Sequence, residues 1–120
     1  MNDPGRPLDA DERAVLGFLL TADVSGAAQL REQVAGARVV GGCECPCPSV
    51  ELAVPAAAPS AALPEGLYSV EAEVLSGGDE PAGGVMLFIE RGRISYLEYY
   101  GYDDVPTAWP RLEELRRVGG

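Results

Sequence analysis

Two apolar runs, Val85–Glu90 and Arg93–Tyr100, are separated by only Arg91 and Gly92. A two-residue link with glycine in second place closes an antiparallel hairpin, so the chain must build a sheet. Counting outward from the turn sets Ile89 opposite Ile94 and Leu87 opposite Tyr96, with Phe88, Met86 and Leu97 on the other side. Side chains alternate across a strand, and both faces of this hairpin are apolar. It is therefore predicted to lie centrally in its sheet.

The flanking segments extend that sheet. Tyr68, Val70, Ala72 and Val74 alternate with Ser69, Glu71 and Glu73, the pattern of a one-sided strand. Val50, Leu52 and Val54 give a second half-buried strand, and Arg38–Gly42 a short apolar one. Upstream the period changes. Asp9 followed by Glu12 is a helix-start capping pattern, and Val15, Leu16, Leu19 and Leu20 share one helical face. A second helix, with Asp23 or Ser25 as its cap, carries Ala27, Leu30, Val34 and Ala37 at helical spacing. The Pro/Ala-rich stretch 55–66 reads as a mobile loop. Pro106 and Pro110 stop further strand, and Pro110 can open a last helical turn that docks Leu112 and Leu115. The expected fold is α+β: helices over 10–21 and 25–35 packed on one face of a mainly antiparallel sheet of about four or five strands, then a short C-terminal helix. One domain, residues 9–118, follows a flexible Pro/Gly-rich tail, residues 1–8.

Charge and composition narrow the function. The 120 residues carry a net charge of −10, with neither lysine nor histidine. Binding a phosphate backbone needs clustered cations, and the nine positive charges, all arginine, are scattered; no nucleic acid is expected. Without lysine there is no P-loop phosphate ligand and no Schiff base. Without histidine the usual general base is missing. No stretch approaches the roughly 20 apolar residues of a membrane span. The run Ala14–Leu20 follows Asp9, Asp11 and Glu12 rather than a basic region, unlike a signal peptide. An odd cysteine count argues against a closed disulfide framework. A reducing cytoplasm is the expected location.

Two constellations could carry chemistry. Cys43, Cys45 and Cys47 fall within five residues, punctuated by Pro46 and Pro48. Thiolates can hold zinc or copper(I), but alternate residues of a regular strand stand about 6.6–6.8 Å apart, too far for one ion unless the prolines bend the chain. The usual second ligand pair is absent. Buried packing, metal binding and thiol redox chemistry all remain open readings of this cluster. The other constellation is Glu98-Tyr99-Tyr100-Gly101-Tyr102-Asp103-Asp104 with Trp109. Tyrosine and tryptophan bury much area at low entropy cost, and adjoining carboxylates recognise cations, a composition typical of protein interfaces. Its bland alternative is closure of the sheet's edge. Asp103 and Asp104 point to opposite sides if extended, so they do not form a catalytic dyad.

Three stretches, Asp23–Gln33 (DVSGAAQLREQ), Ala37–Val50 (ARVVGGCECPCPSV) and Ser95–Pro110 (SYLEYYGYDDVPTAWP), resemble a family of small uncharacterised cytoplasmic proteins from high-GC bacteria. The resemblance spans residues 10–117 and brings no activity and no catalytic residue with it. The expectation is a non-enzymatic module without a cofactor. It would bind a basic protein partner through Tyr99, Tyr100, Tyr102, Asp103, Asp104 and Trp109. The alternatives are a metal or redox thiol protein using Cys43, Cys45 and Cys47, and an immunity protein neutralising a basic toxin.

Overall fold

The computed structural model describes residues 5–42, 46–75 and 80–119. Eight strands form one antiparallel sheet: β1 (Arg6–Pro7), β2 (Arg38–Gly42), β3 (Val50–Ala53), β4 (Gly66–Leu67), β5 (Val70–Leu75), β6 (Pro81–Glu90), β7 (Arg93–Gly101) and β8 (Leu115–Gly119). Their spatial order is β1-β2-β3-β7-β6-β5-β8, with β4 also pairing with β6. Helices α1 (Ala10–Leu20) and α2 (Ala27–Val34) cover one face, α1 against β5 and α2 against β7.

The α+β architecture agrees with the sequence expectation, but the sheet exceeds four or five strands. The surplus lies in short edge pieces that periodicity does not reveal. Where the sequence reading has a frayed terminus, Arg6–Pro7 pairs with β2 and Leu8 is buried. Proline is tolerated there because an edge strand can spare an N–H. At the other end, Pro106 and Pro110 do not end strand formation. The expected C-terminal helix is a single 3₁₀ turn, Leu112–Glu114, after which the chain returns as β8 beside β5. Leu115 is buried as expected, but as a strand residue opposite Val74, while Leu112 stays exposed. Arginines at 116 and 117 give this outer strand the charge that discourages further edge pairing.

The helices begin for different reasons. Asp9 accepts a hydrogen bond from the Glu12 N–H at 2.8 Å, and the Glu12 carboxylate accepts from the Asp9 N–H at 2.9 Å, the reciprocal cap expected from the sequence. Glu12 is nevertheless buried, and Arg6 meets both its oxygens at 2.9 and 2.8 Å. A buried carboxylate needs such pairing to stay charged. For α2 neither Asp23 nor Ser25 caps. The N-cap is Gly26 at φ +85°, a left-handed conformation that suits glycine, pressed so closely on Leu63 that a Cβ would meet that side chain at 2.8 Å.

The β6–β7 hairpin forms as predicted, with Arg91 and Gly92 at φ +54° and +74°, as a primed turn requires. Ile89 pairs with Ile94. The register then shifts by one residue, so that Phe88 pairs with Tyr96 and Leu87 with Leu97. The expected Leu87–Tyr96 pair and the outward Leu97 are thus corrected by a bulge at Ser95, whose hydroxyl donates to the Phe88 carbonyl at 3.1 Å. The bulge sends Leu97 into the core with Val85, Leu87, Ile94, Leu16, Leu19 and Leu30, and turns Tyr96 to the opposite face. Each such leucine contributes roughly 1.5–3 kcal/mol on burial.

One buried polar side chain organises this core. Gln33 of α2 donates to the Pro59 and Gly92 carbonyls at 2.8 and 2.9 Å and accepts from the Ile94 N–H at 3.0 Å. Nearby, the Ala61 N–H donates to the Gly92 carbonyl at 2.8 Å and Ala61 is buried, so the Pro/Ala-rich segment is tied to the hairpin at this point.

Candidate functional site

The alternation of β7 divides the aromatic segment between the two faces of the sheet. Tyr99 lies on the helix side, opposite Val85, and its ring stacks on Trp109 with centroids 5.9 Å apart and planes 20° apart. Both pack against the margin of the core. Tyr96, Glu98 and Tyr100 face the other way, where no helix among the described residues lies, beside Phe88, Met86 and Gly84 of β6. The ring of Tyr100 lies across Gly84, where any Cβ would collide with the phenol. Glycine there lets the aromatic ring cover the backbone. The Tyr96 ring packs on Phe88 with centroids 6.1 Å apart and planes tilted by 57°.

Beyond Gly101 the chain reverses. The Tyr102 N–H donates to the Ala82 carbonyl at 3.0 Å, and Tyr102, Asp103, Asp104 and Val105 are exposed. The Tyr102 ring leans on Tyr100 at 5.8 Å and remains 59% exposed, making it the most exposed aromatic of the segment. The candidate partner-binding residues are thus divided. Tyr100 and Tyr102 pack together on the open side, Asp103 and Asp104 border a second cleft with Tyr99 and Pro106 at the end of β7, and Tyr99 and Trp109 support the fold from the core side.

The pairing of β3 with β7 joins the two constellations that are separate in sequence. Ser49 accepts from the Tyr99 N–H at 2.9 Å, and the Cys47 thiol donates to the Ser49 hydroxyl at 3.5 Å. Cys47 consequently stands at the wall of a cleft of about 340 Å³ whose other walls include Tyr96, Glu98, Tyr100, Val105 and Pro106. An adjoining cleft of about 380 Å³ is bordered by Glu80, Asp103 and Asp104. No lining residue of either cleft is cationic. Cys43 and Cys45 lie outside the described residues, and Cys47 is a half-buried free thiol. Among the described residues no group of histidine, cysteine, aspartate or glutamate is placed to hold a metal ion.

Electrostatics keep the phenols neutral. Burial raises the Tyr96 pKa, opposed by a hydrogen bond with Ser49 and reinforced by the charges of Glu98, Cys47 and Glu51. Burial likewise raises Tyr100, with help from Tyr102, Glu71 and Glu98, and raises Tyr99 with help from Glu114. These phenols are rings and hydrogen-bond donors rather than bases. The site offers aromatic faces, carboxylates and one thiol, with no histidine or cation to activate a nucleophile.

Composition grouped Tyr99, Tyr100, Tyr102 and Trp109 as one surface, which the sheet divides between its faces, and it left Tyr96 out of the set that Glu98 opens. The signal was present, since 96, 98 and 100 alternate. The bulge at Ser95 hid which face they occupy. No helix among the described residues is long and apolar enough to cross a membrane. No family model, curated protein or solved structure matches the chain, and function must come from these residues themselves.

Proposed function

We propose that the protein is a non-enzymatic cytoplasmic binding module for a basic protein. It docks through the helix-free face of its sheet and the Tyr102-Asp103-Asp104 rim. The observation that carries this reading is the packing of exposed Tyr102 on Tyr100, which shares a cleft with Glu98, next in the chain to exposed Asp103 and Asp104, in a molecule whose net charge is −10. Aromatic anchors at the centre supply the contact energy, and rim carboxylates steer encounter and fix orientation. A basic toxin held inactive by this surface is one partner of the required chemistry.

The test is affinity capture with the wild-type chain beside Tyr102→Ala and the double change Asp103→Asn/Asp104→Asn. A basic partner should be retained by the wild type and weakened by more than about 1 kcal/mol by Tyr102→Ala, the threshold of a hot spot. Its association should slow as salt rises from 0.1 M to 1 M and the Debye length falls from about 10 Å to 3 Å. A partner bound equally by all three chains at all salt concentrations would place the interface elsewhere.

A further inference from the structure

We propose that Glu98, with the rings of Tyr96 and Tyr100 on either side, is a receptor for a single arginine side chain of the partner. This deepens the binding reading above and rests on it. Residues 96, 98 and 100 occupy alternate positions of β7, so the carboxylate stands between two aromatic rings on one face of the sheet, about 6.6–6.8 Å along the strand from each. All three line the 340 Å³ cleft, which Cys47, Val105 and Pro106 wall on its remaining sides. That volume is at the low end of the roughly 300–1,000 Å³ of small-molecule sites, fitting for one long side chain.

The carboxylate is half-buried, and none of the chain's ion pairs among the described residues reaches it: Arg6 serves Glu12, Arg116 serves Glu73, and Arg111 serves Glu113 and Glu114. Its charge is among those that raise both neighbouring phenols, after burial in each case. A half-buried carboxylate with no cation of its own, flanked by aromatic rings, has the complement of a guanidinium. The planar fork of arginine can take both carboxylate oxygens while its flat face lies on a phenol ring. Lysine, a compact point charge, satisfies only part of that geometry. Gly84 contributes by leaving room for the Tyr100 ring, which a Cβ at that position would displace.

The experiment titrates the isotopically labelled full chain with the amides of arginine, lysine and citrulline, following backbone amide shifts by NMR. Citrulline keeps the shape of arginine and removes its charge. Arginine amide should shift the amides of residues 96–101 and Val105, lysine amide should bind several-fold more weakly, and citrulline amide should leave the spectrum unchanged. Glu98→Gln should weaken arginine amide at least tenfold while leaving the thermal midpoint in place. Tyr100→Phe, which retains the ring, should bind nearly as wild type. Equal binding of arginine amide to wild type and Glu98→Gln, or shifts confined to Asp103 and Asp104, would overturn the assignment. If a captured partner loses affinity with Tyr102→Ala but not with Glu98→Gln, the arginine receptor fails while the binding surface stands. If it ignores both, the binding surface itself fails.

Discussion

Ile94 and Leu97 of β7 are buried beneath the helices, while Tyr96, Glu98 and Tyr100, interleaved with them in the chain, face a side of the sheet that no helix among the described residues covers. On the covered side two buried polar side chains are held by the fold's own partners: Gln33 makes three hydrogen bonds, and Glu12 is engaged by Arg6 and the start of α1. On the open side Glu98 has rings beside it but no cation, and the Tyr102 ring is largely in solvent. The comparison separates groups whose interactions are completed within the chain from groups whose chemistry is completed by something else. A single strand serves both roles because its side chains alternate.

The contrast can be broken first on the covered side. Leu97→Ala should cost about 2–5 kcal/mol by opening a cavity that its rigid neighbours cannot fill, measured by urea denaturation. The same truncation at Met86, on the open face, should cost well under half as much; equal losses would mean that both faces are core. Gln33→Leu comes next. It leaves the Pro59 carbonyl and the Ile94 N–H without their side-chain partner, while the Gly92 carbonyl keeps the bond from the Ala61 N–H, and each group stranded in this way costs about 1–3 kcal/mol. A loss of about 3 kcal/mol is expected for the set. A neutral result would show that Gln33 fills space rather than ties the hairpin to α2.

Alkaline pH gives a smaller effect of defined sign. Tyr68, Tyr96, Tyr99 and Tyr100 all have pKa values raised above the ordinary 10.0, burial being the leading cause in each. Their folded-state contribution is fully present below that value and is lost as pH climbs through the raised folded pKa values. The denaturation midpoint should therefore hold from pH 7 to 9 and fall above 10. Tyr68 sharpens the test, because its buried hydroxyl has no hydrogen-bond partner among the described residues. Tyr68→Phe should be neutral or stabilising near pH 7 and should reduce the alkaline loss. A midpoint that does not move up to pH 11 would contradict the raised values. The smallest expected effect on stability is that of Tyr102→Ala, within about 0.5 kcal/mol for an exposed position, despite its large expected effect on binding.

Local patterns in the sequence reached much of this. The alternation of β5 and the cap at Asp9 depend on residues close in the chain, and both are where the pattern puts them. The bulge at Ser95 was not legible, because a one-residue slip within an apolar run leaves the composition unchanged while exchanging Leu97 for Tyr96 between faces. Strand β8 was hidden because Leu-Arg-Arg-Val has no clean alternation and follows two prolines. Gln33 reads as an ordinary helical residue, since its partners lie 26, 59 and 61 residues away. The proximity of Cys47 to Tyr96, Glu98 and Tyr100 likewise arises only when β3 pairs with β7.

The central claim is that the open face, rather than the helical one, meets the partner. Hydrogen exchange of the chain with and without its captured partner tests it most directly. Protection gained across residues 96–104 and the neighbouring strands β3 and β6, with α1 and α2 unchanged, is the expected result. New protection centred on α1, α2 or β8, with residues 96–104 exchanging as in the free chain, would contradict it.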